Sequence, residues 1–365
     1  MRIVVVGTGV MGLSAARVLA GRGHQVIAMD RFAVGNPMAS SPGATRIWRI
    51  AHPDRGLVRL ARWNAELWRD LERRGNRQLL LQRGLLWRGG EALQVAGALA
   101  AEDVEYQIMD EEGQRLRFPE LRWQPGRPVV WQPEAGVLLA AQALAVCAEL
   151  FARAGGELVE GLQVSSVDQL PTGGARVVTA GASYEADVVV VAAGPWAGGF
   201  LADLGVGIYL HPVLEQITYV RGGDGPWENR PCVIDVPDGG GSFGLYALAT
   251  PGIGYKVGID EPIRGFDPGS LDRTPDLARE QSTLDRVRLD LPGLDSTPIR
   301  SEVCTWTASP DDAFILDRVG DVVVGCGDSG QGFKFLPMIG EVLADLAEGR
   351  PGRDDTALFG LSRFG

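Results

Sequence analysis

Lysine is almost missing from this chain. Of 35 basic residues among 365, only Lys256 and Lys334 are lysine, which leaves 33 arginines. Base composition accounts for that scarcity, as it does for the 50 glycines, but not for where the two lysines sit. The two cations differ physically: lysine is a compact, rotatable ammonium whose pKa responds to burial, arginine a permanently charged planar fork. Cysteine is scarce as well. Cys147, Cys232, Cys304 and Cys326 are widely spaced with no CxxC pair, which argues against a disulfide framework. None of His24, His52 and His211 has metal-ligand spacing, so no metal site is expected. Positive charge is in deficit. The net charge of −11 argues against nucleic acid or an anionic membrane as partner. Arginines dispersed among acids, as in "RWNAELWRDLERRGNRQ", read as a solvated helix face. No apolar run approaches the ~18 residues that a membrane span needs. The N-terminal "MRIVVVG" reads as a strand rather than a targeting segment, so a cytoplasmic location is expected.

What is present is an ordered set of strands, glycine turns and helices. A length of 365 residues makes two domains the natural expectation. Residues 2–31 read as strand, tight turn, helix and second strand, with Ile3–Val6 continuously apolar as in a parallel strand covered on both faces. Gly7, Gly9 and Gly12 form GxGxxG between strand and helix, and Asp30 closes the second strand. That context predicts a dinucleotide site: the glycines let backbone N–H groups approach a pyrophosphate, and Asp30 can accept hydrogen bonds from a ribose diol. Helix is expected over 57–75, within 94–120, over 136–158 and around 276–290. Strands are expected within 78–88, and short β runs across 211–303.

The later part of the chain separates NAD from FAD. A nicotinamide dehydrogenase commonly keeps its nucleotide domain in one block. Here a second buried strand ending in glycine, "ADVVVVAAGPWAG", and a third glycine turn, "GCGDSGQG", return late in the chain. Such returns suit a long ligand, as FAD would be, and a helix N-terminus at 334 would stabilise negative charge on a reduced flavin ring.

The chain resembles the D-amino-acid oxidase superfamily, and within it the monomeric sarcosine oxidase and N-methyl-amino-acid oxidase group. The resemblance runs through the glycine turn, "SSPGATRIWRIAH", "ADVVVVAAGPWAG", "GYKVGID", "EVCTWTASPDDAFILD" and "GDSGQGFKF", in that order along nearly the whole chain. It implies an α/β fold, a Rossmann-like FAD-binding domain interleaved with an α+β substrate domain built on a mixed sheet. Residues 1–80, 136–210 and 304–365 are expected in the FAD domain, and 81–135 and 211–303 in the substrate domain. The resemblance implies FAD contacts from Gly7, Gly9, Val10, Met11, Gly12, Asp30, Arg31, Ser41, Thr45, Arg46, Ala193, Gly194, Trp196, Gly327, Gly330, Gly332, Phe333 and Lys334. It further implies that Cys304 bonds covalently to the flavin. Arg49 and Lys334 would hold a substrate carboxylate, the guanidinium fork bidentately. Lys256 would promote reaction with oxygen, a fixed cation favouring the charge that develops on O₂.

Two positions depart from sarcosine-type members of the group. Asp260 stands where they have histidine, and Trp306 where they have a phenol. Both are expected to border the substrate amine and side chain, which favours a larger secondary amine over sarcosine itself. The expected activity is an FAD-dependent oxidase of a secondary amino acid, working as a monomer on a small-molecule substrate and O₂. A flavin dehydrogenase with another electron acceptor, an oxidase of a cyclic amino acid, an NAD-dependent dehydrogenase and a non-catalytic flavin protein are the alternatives.

Overall fold

The computed structural model describes residues 1–223, 227–238 and 244–365. Its first layer is a six-stranded sheet in which Arg2–Val6 lies between Gln25–Asp30 and Val188–Val191. Glu157–Glu160 flanks the former and Val322–Cys326 the latter, all parallel, and Ile315–Val319 closes the edge antiparallel. Val4, Val5, Val189 and Val190 are wholly buried, as strands covered on both faces require. Helices Val10–Gly21, Ala140–Arg153 and Leu336–Glu348 cover one face. The antiparallel meander Val164–Gln169, Ala175–Thr179 and Ser183–Ala186 covers the other through Val167 and Val177.

The second layer is a nine-stranded mixed sheet. Near one edge His211–Val220 pairs antiparallel with Gly254–Ile259 on one side and, over ten residue pairs, with Pro298–Ala308 on the other. Its sole parallel pairing among the described residues joins Cys232–Val236 to Leu85–Gly89. Arg88, wholly buried, ties that sheet to helix Leu277–Asp290 by ion pairs to Asp235 and Asp290.

Two local expectations change. Gly136–Leu139 is a strand rather than the start of a helix: it pairs with both Thr45–Trp48 and Leu80–Gln82, and the helix begins at Ala140. The helix placed at 334 begins two residues later, preceded by a 3₁₀ turn over Gly332–Phe335. The expected domain joins at 80/81 and 303/304 cut through strands Leu80–Gln82 and Pro298–Ala308, and the latter belongs wholly to the nine-stranded sheet.

Candidate active site

Two adjoining cavities open beside the six-stranded layer, and the second of them reaches the nine-stranded one. The first, of ≈ 440 Å³, runs from Asp30 and Arg31 past Gly7, Gly9, Val10 and Met11 to Ala193, Gly194, Trp196 and Gly327. The second, of ≈ 470 Å³, is walled by the nine-stranded sheet. Val10, Ser40 and Asp328 border both, so the two cavities adjoin.

The first cavity is built to admit a backbone-hugging group. Gly7 has φ +97°, and a Cβ there would stand 2.3 Å from the Ala192 carbonyl oxygen, so only glycine lets strand and turn approach this closely. Val10 N–H at the helix start donates to Ser41 Oγ at 2.8 Å, fixing the 40–43 loop over the turn. The Asp30 carboxylate accepts from Thr8 N–H at 2.7 Å and Phe32 N–H at 2.9 Å, and so braces the turn as well as facing the cavity. Arg31 stacks on Phe32 and Trp196, 4.8 and 5.2 Å from the ring centroids. The buried Ser40 hydroxyl has no hydrogen-bond partner among the described residues. A glycine turn with close backbone approach, a helix start and an unsatisfied hydroxyl in one elongated hollow fit FAD.

Cations gather at one end of the second cavity. Thr45–Trp48 places Arg46 on its wall, and the chain leaves the strand at Trp48 so that Arg49 reaches the same space. Arg46 is held by the carbonyls of Thr45, at 2.9 Å, Ser40 and Pro42, and lies over Phe333, 5.3 Å from the ring centroid. Arg49 lies over Trp87 at 4.6 Å and donates to the Ala51 carbonyl. Burial lowers the Arg49 pKa to about 9. Lys334 is pushed well below the usual lysine range by burial and then by Arg49 itself. Two cations thus face one another without an ion-pair partner among the described residues, an arrangement that favours an anion between them.

The backbone of Lys334 is anchored from behind. Asn64 Nδ2 and Trp68 Nε1, one helical turn apart on Arg55–Gly75, both donate to its carbonyl, at 2.6 and 2.8 Å. The exposed arginines on that helix hide this buried face in the sequence. An asparagine within the apolar stripe of Leu60, Ala61, Ala65, Trp68 and Leu71 was the available signal. The loop before Lys334 is held by Asp328, which accepts from Thr307 N–H at 2.9 Å; burial raises its carboxyl to about 6. Gly330 and Phe333 border the second cavity, and Gly332 packs within the same turn.

The sheet wall carries the remaining groups. Lys256 is buried and donates to the Thr45 carbonyl at 3.0 Å, while Thr45 Oγ1 meets Thr250 Oγ1 at 2.7 Å. Burial, then the nearby Arg46, lowers Lys256 to about 7. Cys304 is a free thiol bordering the cavity, raised to about 11 by burial and by Glu215. Trp306 lines the same wall, and Asp260 stands exposed at its rim, its carboxyl raised by partial desolvation. Glu215 does not stand out in the sequence: it is buried on this wall opposite Cys304 and is raised to about 7 by burial. Its signal was a single acid in a strand rich in β-branched and apolar residues, "HPVLEQITYV".

Comparison with known proteins adds the decisive observation: residues 2–346 match the family model described as FAD dependent oxidoreductase. The chain belongs to that family. It is 30% identical over 357 residues to the monomeric sarcosine oxidase of Streptomyces avermitilis, covering 94% of this chain and 93% of the relative. It is 31% identical over 379 residues to the human peroxisomal sarcosine oxidase, covering 99% and 95%. Among solved structures, NikD, an unusual amino acid oxidase essential for nikkomycin biosynthesis, superposes with a TM-score of 0.87 at 27% identity, covering 98% of this chain and 96% of that one. This member of the FAD dependent oxidoreductase family is therefore a flavoenzyme whose cofactor is FAD. No helix among the described residues is long and apolar enough to cross a membrane.

Proposed function

We propose that this chain is an oxidase of a secondary amino acid, N-substituted at glycine or a close analogue, with O₂ as electron acceptor. The observation that carries the reading is the meeting of Arg49 and Lys334 in one hollow with Cys304, Trp306 and Lys256. The relatives' names, two sarcosine oxidases and an amino acid oxidase, support the same substrate class. Arg49 and Lys334 bind the carboxylate and thereby fix the rest of the substrate, a positioning effect that is a large part of catalysis. Bound FAD supplies the two-electron acceptor for oxidation of the C–H bond next to nitrogen. Trp306 and Tyr246 enclose the substrate from the sheet side, and Lys256 presents a cation where O₂ gains negative charge. The imine product hydrolyses in water to an amine and an aldehyde or glyoxylate, with H₂O₂ as the second product. Cys304 is the residue of this wall that would carry FAD covalently.

The proposed units are the six-stranded layer with its helices for FAD and the nine-stranded layer, including all of Pro298–Ala308, for substrate. The chain acts as a monomer. The functional test is anaerobic bleaching of the bound flavin by a panel of N-alkyl glycines and cyclic amino acids. Bleaching by at least one of them, followed under air by one H₂O₂ per turnover, is expected; bleaching without peroxide would point to a dehydrogenase.

A further inference from the structure

Glu215 stands out on the sheet wall because its charge is unanswered. It projects from His211–Val220 on the face shared with Cys304, its register partner on Pro298–Ala308. Two neutral donors from opposite sides hold its carboxylate. Trp306 Nε1 donates to Oε2 at 2.9 Å, and the Tyr246 hydroxyl donates to Oε1. Tyr246 reaches it across an intervening strand. It pairs with Gly258, where a Cβ would stand 2.2 Å from the tyrosine ring, so the glycine opens the path for that ring to lie over Gly254–Ile259. A side chain gripped from both flanks has one orientation, and this one borders the cavity.

No cation pairs with Glu215 among the described residues. The titratable groups that face it are Tyr246 from one strand, Lys256 and Asp260 from the next, and Cys304 and Glu302 from the strand on the other side. Lys256 is the one cation among these, and its ammonium is directed to the Thr45 carbonyl. Asp260, the acid expected beside the amine, is exposed at the rim, whereas Glu215 is buried. A buried carboxylate with donors but no cation is costly to ionise until a positive charge arrives. The amino-acid substrate brings one, since a secondary amine is protonated in neutral solution.

We propose that Glu215 receives the substrate's cationic nitrogen, pairing with the ammonium on binding and taking its proton so that the bound amine is neutral. One N–H bond breaks, one O–H bond forms on the Glu215 carboxyl, and no electrons are transferred in this step. Trp306 and Tyr246 are positioning residues for that carboxylate. The proposal rests on the reading of the cavity as an amino-acid site, and it supplies the neutral amine that oxidation needs at a pH where the free substrate is a cation.

The experiment compares wild-type holoenzyme with Glu215→Gln, which keeps the shape but cannot bind a proton. Two ligands with no oxidisable C–H bond on a nitrogen-bearing carbon are titrated against the flavin absorbance: 2-aminoisobutyrate, which has the amine, and isobutyrate, which has only the carboxylate. Loss of a charge-assisted contact should weaken 2-aminoisobutyrate roughly tenfold to a hundredfold, with isobutyrate unchanged within about twofold. For a substrate that bleaches the wild type, the anaerobic reduction rate of the variant should then rise about tenfold per pH unit towards the substrate's own amine pKa. Equal losses for both ligands, no loss for either, or a variant pH profile that overlays the wild type would each overturn the role of Glu215. If wild-type holoenzyme binds neither ligand and is bleached by no amino acid, the amino-acid reading of the cavity falls, and this proposal with it.

Discussion

At the scale of single residues, the scarcity of lysine turns out to be a guide. Both lysines of the chain border the same cavity, one buried under the strand that carries Arg46, the other facing Arg49. Lys256 has its pKa depressed to about 7, so its ammonium is present below that pH and lost as pH rises through it. Replacing it with methionine removes the charge at every pH. Flavin reoxidation by O₂ should slow on the order of a hundredfold or more in Lys256→Met, while anaerobic reduction stays within a few fold. In the wild type the reoxidation rate should fall across neutral pH, and the variant should show no such fall. Stopped-flow measurement of the two half-reactions separates these outcomes; equal slowing of both would contradict the role. Cys304 is tested without kinetics. Acid precipitation of the wild type should give a yellow pellet, and Cys304→Ser should release its flavin to the supernatant. A colourless wild-type pellet removes the covalent assignment. The positions of Arg49, Lys256 and Cys304 around one cavity could be anticipated because they sit in specific short motifs. Glu215 could not, since one acid in a strand that also carries Gln216 and Thr218 acquires meaning only when Trp306 and Tyr246 converge on it.

At the scale of elements, the site is an agreement between pieces distant in sequence. Helix Arg55–Gly75 illustrates it: its exposed arginines suggest a solvated surface, yet Asn64 and Trp68 hold the Lys334 carbonyl, some 270 residues away. Trp68→Phe keeps the packing and removes one of the two donors. It should cost about 1 kcal/mol of stability and loosen the turn over Gly332–Phe335. Carboxylate ligands should then bind severalfold more weakly, although Trp68 touches none of them. Thermal unfolding together with ligand titration checks both parts, and unchanged ligand affinity would show that the anchor serves stability alone. Local pattern located the glycine turn and its helix, because apolar run, glycine spacing and terminal acid agree there. It misread Gly136–Leu139, because a short apolar strand and the start of an apolar helix look alike until the partners Thr45–Trp48 and Leu80–Gln82 are known. The expected joins at 80/81 and 303/304 fall inside strands for the same reason: strand pairing, not composition, decides to which layer a residue belongs.

At the scale of the whole molecule, two layers present adjoining cavities, one lined from the parallel layer and one walled by the mixed sheet. The parallel layer offers glycine backbone and a helix start at one end, and the mixed layer offers a wall of buried polar side chains at the other. The order of the motifs along the chain made this interleaving legible, since nucleotide-type elements recur at the start, middle and end. The charge layout inside the second cavity was legible only in part. Arg49 and Lys334 were singled out in the sequence and border its cationic end, whereas its acids comprise the rim residue Asp260, which was singled out, and the buried Glu215, which was not. The account joins a carboxylate clamp, a neutralised amine and an oxygen-facing cation in a single space, and each needs an amino-acid substrate. Its central claim is tested most directly by mixing the oxidised holoenzyme anaerobically with N-substituted glycines and cyclic amino acids and following the flavin absorbance. Full bleaching by at least one secondary amino acid, and none by the matching amine that lacks a carboxylate, is expected. Bleaching by the amine as readily as by the amino acid, or by no member of the panel, would contradict it.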